Sequence, residues 1–133
     1  MIRYADERDF VFLRRHDRHI GETELRECIG ANRVLILLQD GQAAGWLRFQ
    51  FFWDQHPFLN MLYLLEVFRG QGHGRRLMRF WEREMQKRGC SMVLTSTRSD
   101  ERAQGFYRKL GYRDCGALLL PEEPLEIILF KKI

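Results

Sequence analysis

Apolar positions change their spacing several times along the chain, and each change predicts an element. Residues 2–5 read as a short first strand. Phe10 and Leu13, with Val11 beside them, predict the inner face of a helix that Asp6 caps and that runs to about Arg18. Gly21 breaks that pattern, and Leu25, Cys28 and Ile29 mark a second helix over residues 22–29. Residues 33–39 form an apolar run, Asp40-Gly41 signals a hairpin, and residues 43–52 return as the partner strand. Alternation places Trp46, Arg48 and Gln50 on one face of that strand and Leu47, Phe49 and Phe51 on the other. Residues 53–57 are expected as a connection, because Pro57 has no N–H to give a central ladder. A further strand follows over residues 58–65.

The second half switches to strand and helix in alternation. Leu77, Met78, Trp81 and Met85 lie at helical spacing, with Arg75, Arg79, Glu82, Arg83 and Gln86 on the outer side and Gly89 as the stop. Residues 91–97 predict a strand, so strand, helix and strand make a right-handed crossover between parallel neighbours. Ala103, Phe106, Tyr107 and Leu110 then recur at i, i+3, i+4 and i+7, in a helix that Ser99 or Asp100 is expected to cap and Gly111 to end. Residues 112–120 and 125–131 close the chain as an antiparallel hairpin about Pro121 and Pro124. The expectation is an α/β domain of the α+β type. Its mixed, mostly antiparallel sheet has one parallel pair at its centre and about four flanking helices, all in a single domain over residues 1–133.

Composition adds limits. With 45% hydrophobic residues the chain can fill a core. Its 22 basic and 18 acidic residues give a net charge of +4, spread without a basic tail, so an anionic ligand suits it better than nucleic acid. Three cysteines without CxxC spacing argue against a disulfide framework and a zinc site, and favour a reducing cytoplasm. Cys90 and Cys115 are expected as small core residues, and His16 and His19 as solvated helix surface. The early charges Arg3 and Asp6 give no expectation of a signal peptide, and no apolar run is long enough to span a bilayer.

The candidate chemistry sits at Arg69-Gly70-Gln71-Gly72-His73-Gly74, between an apolar strand and an amphipathic helix. Glycines at such a junction let several main-chain N–H groups converge at the positive end of a helix dipole, which suits a phosphate-bearing ligand. The loop is not a Walker A motif, since Arg75-Arg76 follows Gly74 where Lys-Ser or Lys-Thr would stand. It is not a dinucleotide fingerprint either, since no acidic residue ends the strand over residues 91–97.

Arg69-x-x-Gly72-x-Gly74 resembles the acyl-CoA signature of the GNAT N-acetyltransferase superfamily, and residues 100–112, from Asp100 through Tyr107 to Gly111-Tyr112, resemble that family's second motif. The element order agrees over essentially the whole chain. The resemblance implies acetyl-CoA as co-substrate without a metal, and transfer of the acetyl group to a primary amine of a small molecule or protein. Backbone N–H groups of Gly70, Gln71, Gly72, His73, Gly74 and Arg75 would hold the pyrophosphate with Arg69 nearby. Backbone groups of Leu62, Tyr63 and Leu64, on a splayed strand, would pair with the pantetheine arm. Tyr107 would protonate the departing thiolate, which suits a phenol at neutral pH. No covalent enzyme intermediate is implied, and members of the family often dimerise.

Two positions depart from the family pattern. Asp100 stands where asparagine is usual, and Thr95 stands where the branch that acetylates protein N-termini commonly carries glutamate. Asp54, His56, Glu66 and ordered water are the candidates for the general base. Phe51, Phe52, Trp53 and Phe58 are expected in the core, with an acceptor pocket or a subunit contact as the alternatives. A non-catalytic acyl-CoA sensor of the same fold is the competing reading.

Overall fold

The computed structural model of the chain describes all residues from 1 to 133. Seven strands and four α-helices follow one another as β1 (Ile2–Tyr4), α1 (Phe10–His16), α2 (Glu22–Gly30), β2 (Val34–Gln39), β3 (Gln42–Phe52), β4 (His56–Leu64), α3 (His73–Lys87), β5 (Met92–Arg98), α4 (Ala103–Lys109), β6 (Arg113–Leu118) and β7 (Glu126–Lys132). The strands form one mixed sheet in the order β1-β2-β3-β4-β5-β7-β6. Only β4 and β5 are recorded as a parallel pair, as the strand–helix–strand pattern predicts.

By packing, the chain divides into one unit of Met1–Phe49 with Met61–Trp81 and another of Gln50–Asn60 with Glu82–Ile133. In the first, α1 and α2 cover the face of β2 and β3 that carries Val34, Ile36 and Trp46, and they bury Phe10, Leu13, Leu25, Cys28 and Ile29 against it. The amphipathic face of α3 is fully buried at Leu77, Met78 and Trp81, and the Trp81 ring meets Phe49 at 5.7 Å between centroids. In the second unit β7 pairs with both β5 and β6, so the final hairpin wraps with its later strand inside.

Turn chemistry behaves as its residues demand. Asp40 and Gly41 have φ of 52° and 77°, the pair of positive values that a two-residue hairpin turn needs. Gly89, at φ 86°, ends α3 while Cys90 N donates to Met85 O at 3.0 Å, a Schellman closure. Gly45 on β3 has another role: a Cβ there would lie 2.5 Å from both Tyr63 O and a Leu64 methyl.

Several expectations need correction. Asp6 caps a 3-10 turn, Glu7–Asp9, through a reciprocal box in which Arg8 N donates to Asp6 and Asp6 N donates to Asp9; α1 follows and ends at His16. Val11 is exposed, and Phe12 takes the inner position instead. Pro57 is a buried residue of β4, not part of the connection. Its missing N–H is tolerated because the recorded ladder to β5 begins at Phe58. The connection shrinks to a turn at Trp53 and Asp54, both at positive φ. Neither Ser99 nor Asp100 caps α4. Arg98 holds the Asp100 carboxylate through two hydrogen bonds, and α4 starts at Ala103 with no side-chain cap.

Glu82 is buried, because it accepts hydrogen bonds from Tyr112 Oη (2.8 Å) and Lys131 Nζ (2.9 Å). Burial, reinforced by the Glu82 charge, pushes the Tyr112 phenol far above its usual pKa. Cys28 is the buried cysteine, Cys90 is half-buried and Cys115 is exposed on β6, an edge strand whose residues all face solvent.

Candidate active site

The glycine loop leaves its backbone open and unpaired. Gly70 and Gly72 adopt φ of 73° and 83°, which residues with a Cβ rarely take. At both positions a Cβ would project into open space, so room exists for a ligand against the backbone. The first helical bond of α3 runs from Arg76 N to Gly72 O at 3.1 Å, and no backbone acceptor takes the N–H of any residue from Gly70 to Arg75. Six consecutive main-chain donors therefore stand free at the positive end of a 15-residue helix. Arg69 donates from Nε to Leu64 O at 2.9 Å and lies over the Tyr63 ring at 5.1 Å. One acceptor of the segment predicted to meet the pantetheine arm is thus already shared with a side chain.

His73 carries an internal conflict. It is 6% exposed, and Arg76 Nη1 lies 3.1 Å from its Nδ1. A guanidinium only donates, so Nδ1 accepts and the proton of the neutral ring sits on Nε2, which is buried without a partner. A buried donor left unsatisfied costs about 1–3 kcal/mol. His73→Leu is therefore expected to stabilise the protein by about 1 kcal/mol, read as a thermal midpoint a few degrees higher; a lower midpoint would count against this account.

Tyr107 is placed where β4 and β5 part. Recorded pairing between them is confined to Phe58 with Leu94 and Leu59 with Thr95, although both strands continue. Thr95 Oγ1 donates to Leu59 O at 3.3 Å, and the same Thr95 side chain acts on the Tyr107 phenol. Tyr107 is 7% exposed, with its ring edge-on to Phe106 and Tyr112. Burial pushes its pKa up to about 12 against the opposing effect of Thr95, so the phenol keeps its proton throughout the neutral range.

The candidate bases are scattered. Asp54 lies in the exposed turn before β4, His56 at the N-terminal end of β4, and Glu66 in the exposed 3-10 turn Glu66–Phe68. Pairing with β5 stops towards the other end of β4, beyond Leu59, so Asp54 and His56 stand at the opposite end of the strand from that parting. His56 borders a cavity of about 400 Å³ that Phe52, Trp53, Phe58, Leu94, Cys115 and Phe130 also line. The aromatic cluster is thus not core; Trp53 is 74% exposed.

Sequence reasoning missed a second cavity, of about 320 Å³, in the other unit. Arg15, His16, Arg18 and His19, from the end of α1 and the segment after it, face Trp46, Met61 and Tyr63. His16 and His19 are exposed, as expected, and they also line this pocket. Periodicity could not show this, because the connection is bent back by Asp17. That carboxylate, fully buried, accepts from Arg48 Nε (2.8 Å), Trp46 Nε1 (3.3 Å) and His19 N (3.2 Å). No three His, Cys, Asp or Glu side chains group as metal ligands.

Against known proteins, residues 2–112 match the model of the acetyltransferase (GNAT) family. The chain belongs to the GNAT family. No curated protein sequence matches it significantly. Solved structures share the GNAT fold at low identity. Ard1 from Thermoplasma volcanium is 15% identical, with 100% of this chain and 97% of that chain covered and a TM-score of 0.87. A ribosomal-protein-alanine N-acetyltransferase from Brucella melitensis is 18% identical, covered 100% and 99%, with a TM-score of 0.83. The PaiA N-acetyltransferase from Thermoplasma acidophilum, solved in complex with coenzyme A, is 15% identical, covered 100% and 98%, with a TM-score of 0.81. In this GNAT chain the Arg69–Gly74 motif joins β4 to α3, and the stretch from Asp100 to Tyr112 contains α4.

Proposed function

We propose that the protein transfers the acetyl group of acetyl-CoA to a primary amine. The observation that carries this reading is the run of six unpartnered main-chain N–H groups from Gly70 to Arg75 beside open space at Gly70 and Gly72. The diphosphate of the co-substrate fits those donors, with Arg69 supplying charge nearby. Its amide-bearing arm fits the backbone of Leu62, Tyr63 and Leu64. The amine attacks the thioester carbon directly, the C–S bond breaks, nitrogen gives up a proton to water, and the departing sulfur takes the Tyr107 proton. Water then reprotonates the phenol. We read the whole chain as one catalytic domain of a reducing, cytoplasmic compartment, since its three cysteines are all free and no helix is long and apolar enough to cross a membrane.

The test is thiol release from acetyl-CoA with a panel of amines, in the parent and in Tyr107→Phe. The variant should bind acetyl-CoA as the parent does while kcat drops about 100-fold, the scale of a lost general acid. Acetyl-CoA binding without thiol release by any amine would favour the sensor reading.

A further inference from the structure

We propose that the cavity beside α1 is an oxyanion pocket, and that the acceptor is a small amine carrying a carboxylate or phosphate group. This rests on the transferase reading for the word acceptor, but the pocket's chemistry stands on its own residues. Two guanidinium groups and two imidazoles, from Arg15, Arg18, His16 and His19, converge on a space of about 320 Å³, and no acidic side chain lines it. Arginines that crowd together this way usually carry acidic partners. Here Arg14 pairs with Glu22 at 3.3 Å, but neither Arg15 nor Arg18 has an acidic partner. The only carboxylate in this stretch, Asp17, faces inward and is consumed by Arg48. The buried pair thus does two things. It fixes the segment that presents Arg18 and His19, and it withdraws the one negative charge that could neutralise them.

The rest of the wall says what the anion is attached to. Trp46 and Tyr63 lie with ring centroids 5.0 Å apart and form an apolar floor, which suits a short carbon stem. The Tyr63 ring also meets the Arg69 guanidinium, 5.1 Å from its centroid, so this wall is shared with the arginine of the glycine loop. A ligand with its anionic end on Arg15 and Arg18 would therefore send its other end along Tyr63, the strand segment assigned to the thioester-bearing arm. The volume admits a small molecule, at the lower end of the range for such sites. Arginine suits both carboxylate and phosphate, because its planar fork gives two parallel N–H donors.

Two measurements test this. The first needs no catalysis. Imidazole C–H signals of the four histidines are followed while inorganic phosphate or glutarate is added to protein saturated with CoA, which keeps the glycine loop filled. His16 and His19 should shift and His56 and His73 should stay. The exposed pair Arg15→Gln/Arg18→Gln, checked by an unchanged thermal midpoint, should weaken the titration at least tenfold. The second compares 6-aminohexanoate and 3-aminopropylphosphonate with hexylamine as acceptors. The anionic amines should be preferred at least tenfold in kcat/KM by the parent, and that preference should collapse towards unity in the double variant. Silent His16 and His19 signals, or equal use of neutral and anionic amines, would overturn the proposal. Should no amine release CoA, the transferase reading fails, and the imidazole shifts of the first measurement alone decide the pocket.

Discussion

Asp17→Asn is expected to lower the free energy of unfolding by about 3–5 kcal/mol, the usual cost of stranding one member of a buried ion pair. The side chains of Asp17 and Arg48 are 0% and 7% exposed, and the carboxylate takes both the Nε and an Nη of the guanidinium. An amide offers only one acceptor oxygen and no charge. Arg48 would then be buried without a counterion, while Trp46 Nε1 and His19 N compete for what remains. Urea unfolding should show the midpoint falling with an unchanged slope. Removing both charges, as Asp17→Leu with Arg48→Met, should lose less than Asp17→Asn alone, since an apolar pair of similar bulk leaves no stranded ion. A loss below about 1 kcal/mol in Asp17→Asn would mean that water reaches Arg48 and that the pair does not anchor the segment after α1.

Gly72→Val should raise the dissociation constant for acetyl-CoA at least 100-fold, about 2.7 kcal/mol. Two causes act together. The branched side chain would fill the open space over the free amides, and φ of 83° is a conformation that valine resists by about 1–2 kcal/mol. The strain alone should lower the thermal midpoint by several degrees. Gly41→Val separates the causes, because Gly41 also has positive φ (77°) and open surroundings but lies in the β2–β3 hairpin. It should show the midpoint shift with normal affinity. Calorimetric titration giving equal affinities for both variants and the parent would remove the diphosphate from this loop.

What could be read from the sequence was local. Asp40-Gly41, Gly72 and Gly89 announce their conformations by residue type, and the inner face of α3 follows from spacing alone. The order of strands and helices and the parallel pair of β4 and β5 came from the same kind of evidence. The errors share a different cause. Glu82 was placed outside because its partners lie 30 and 49 residues away. Asp100 looked free to cap a helix because nothing local shows that Arg98 holds it. The pocket around His16 and His19 was hidden because it depends on Asp17 meeting Arg48, 31 residues on. Charged groups that are buried by distant partners leave no periodic trace.

The donors of the glycine loop belong to the main chain, and this has a consequence for selectivity. Peptide N–H groups sense negative charge and its spacing, and they are blind to whatever the diphosphate is joined to. With the diphosphate placed as proposed, nucleotides with the same linkage are expected to compete for the loop on nearly equal terms. Discrimination in favour of a thioester would then come from the rest of the molecule, where an amide-rich tail can satisfy strand backbone and a simple nucleotide has nothing to offer.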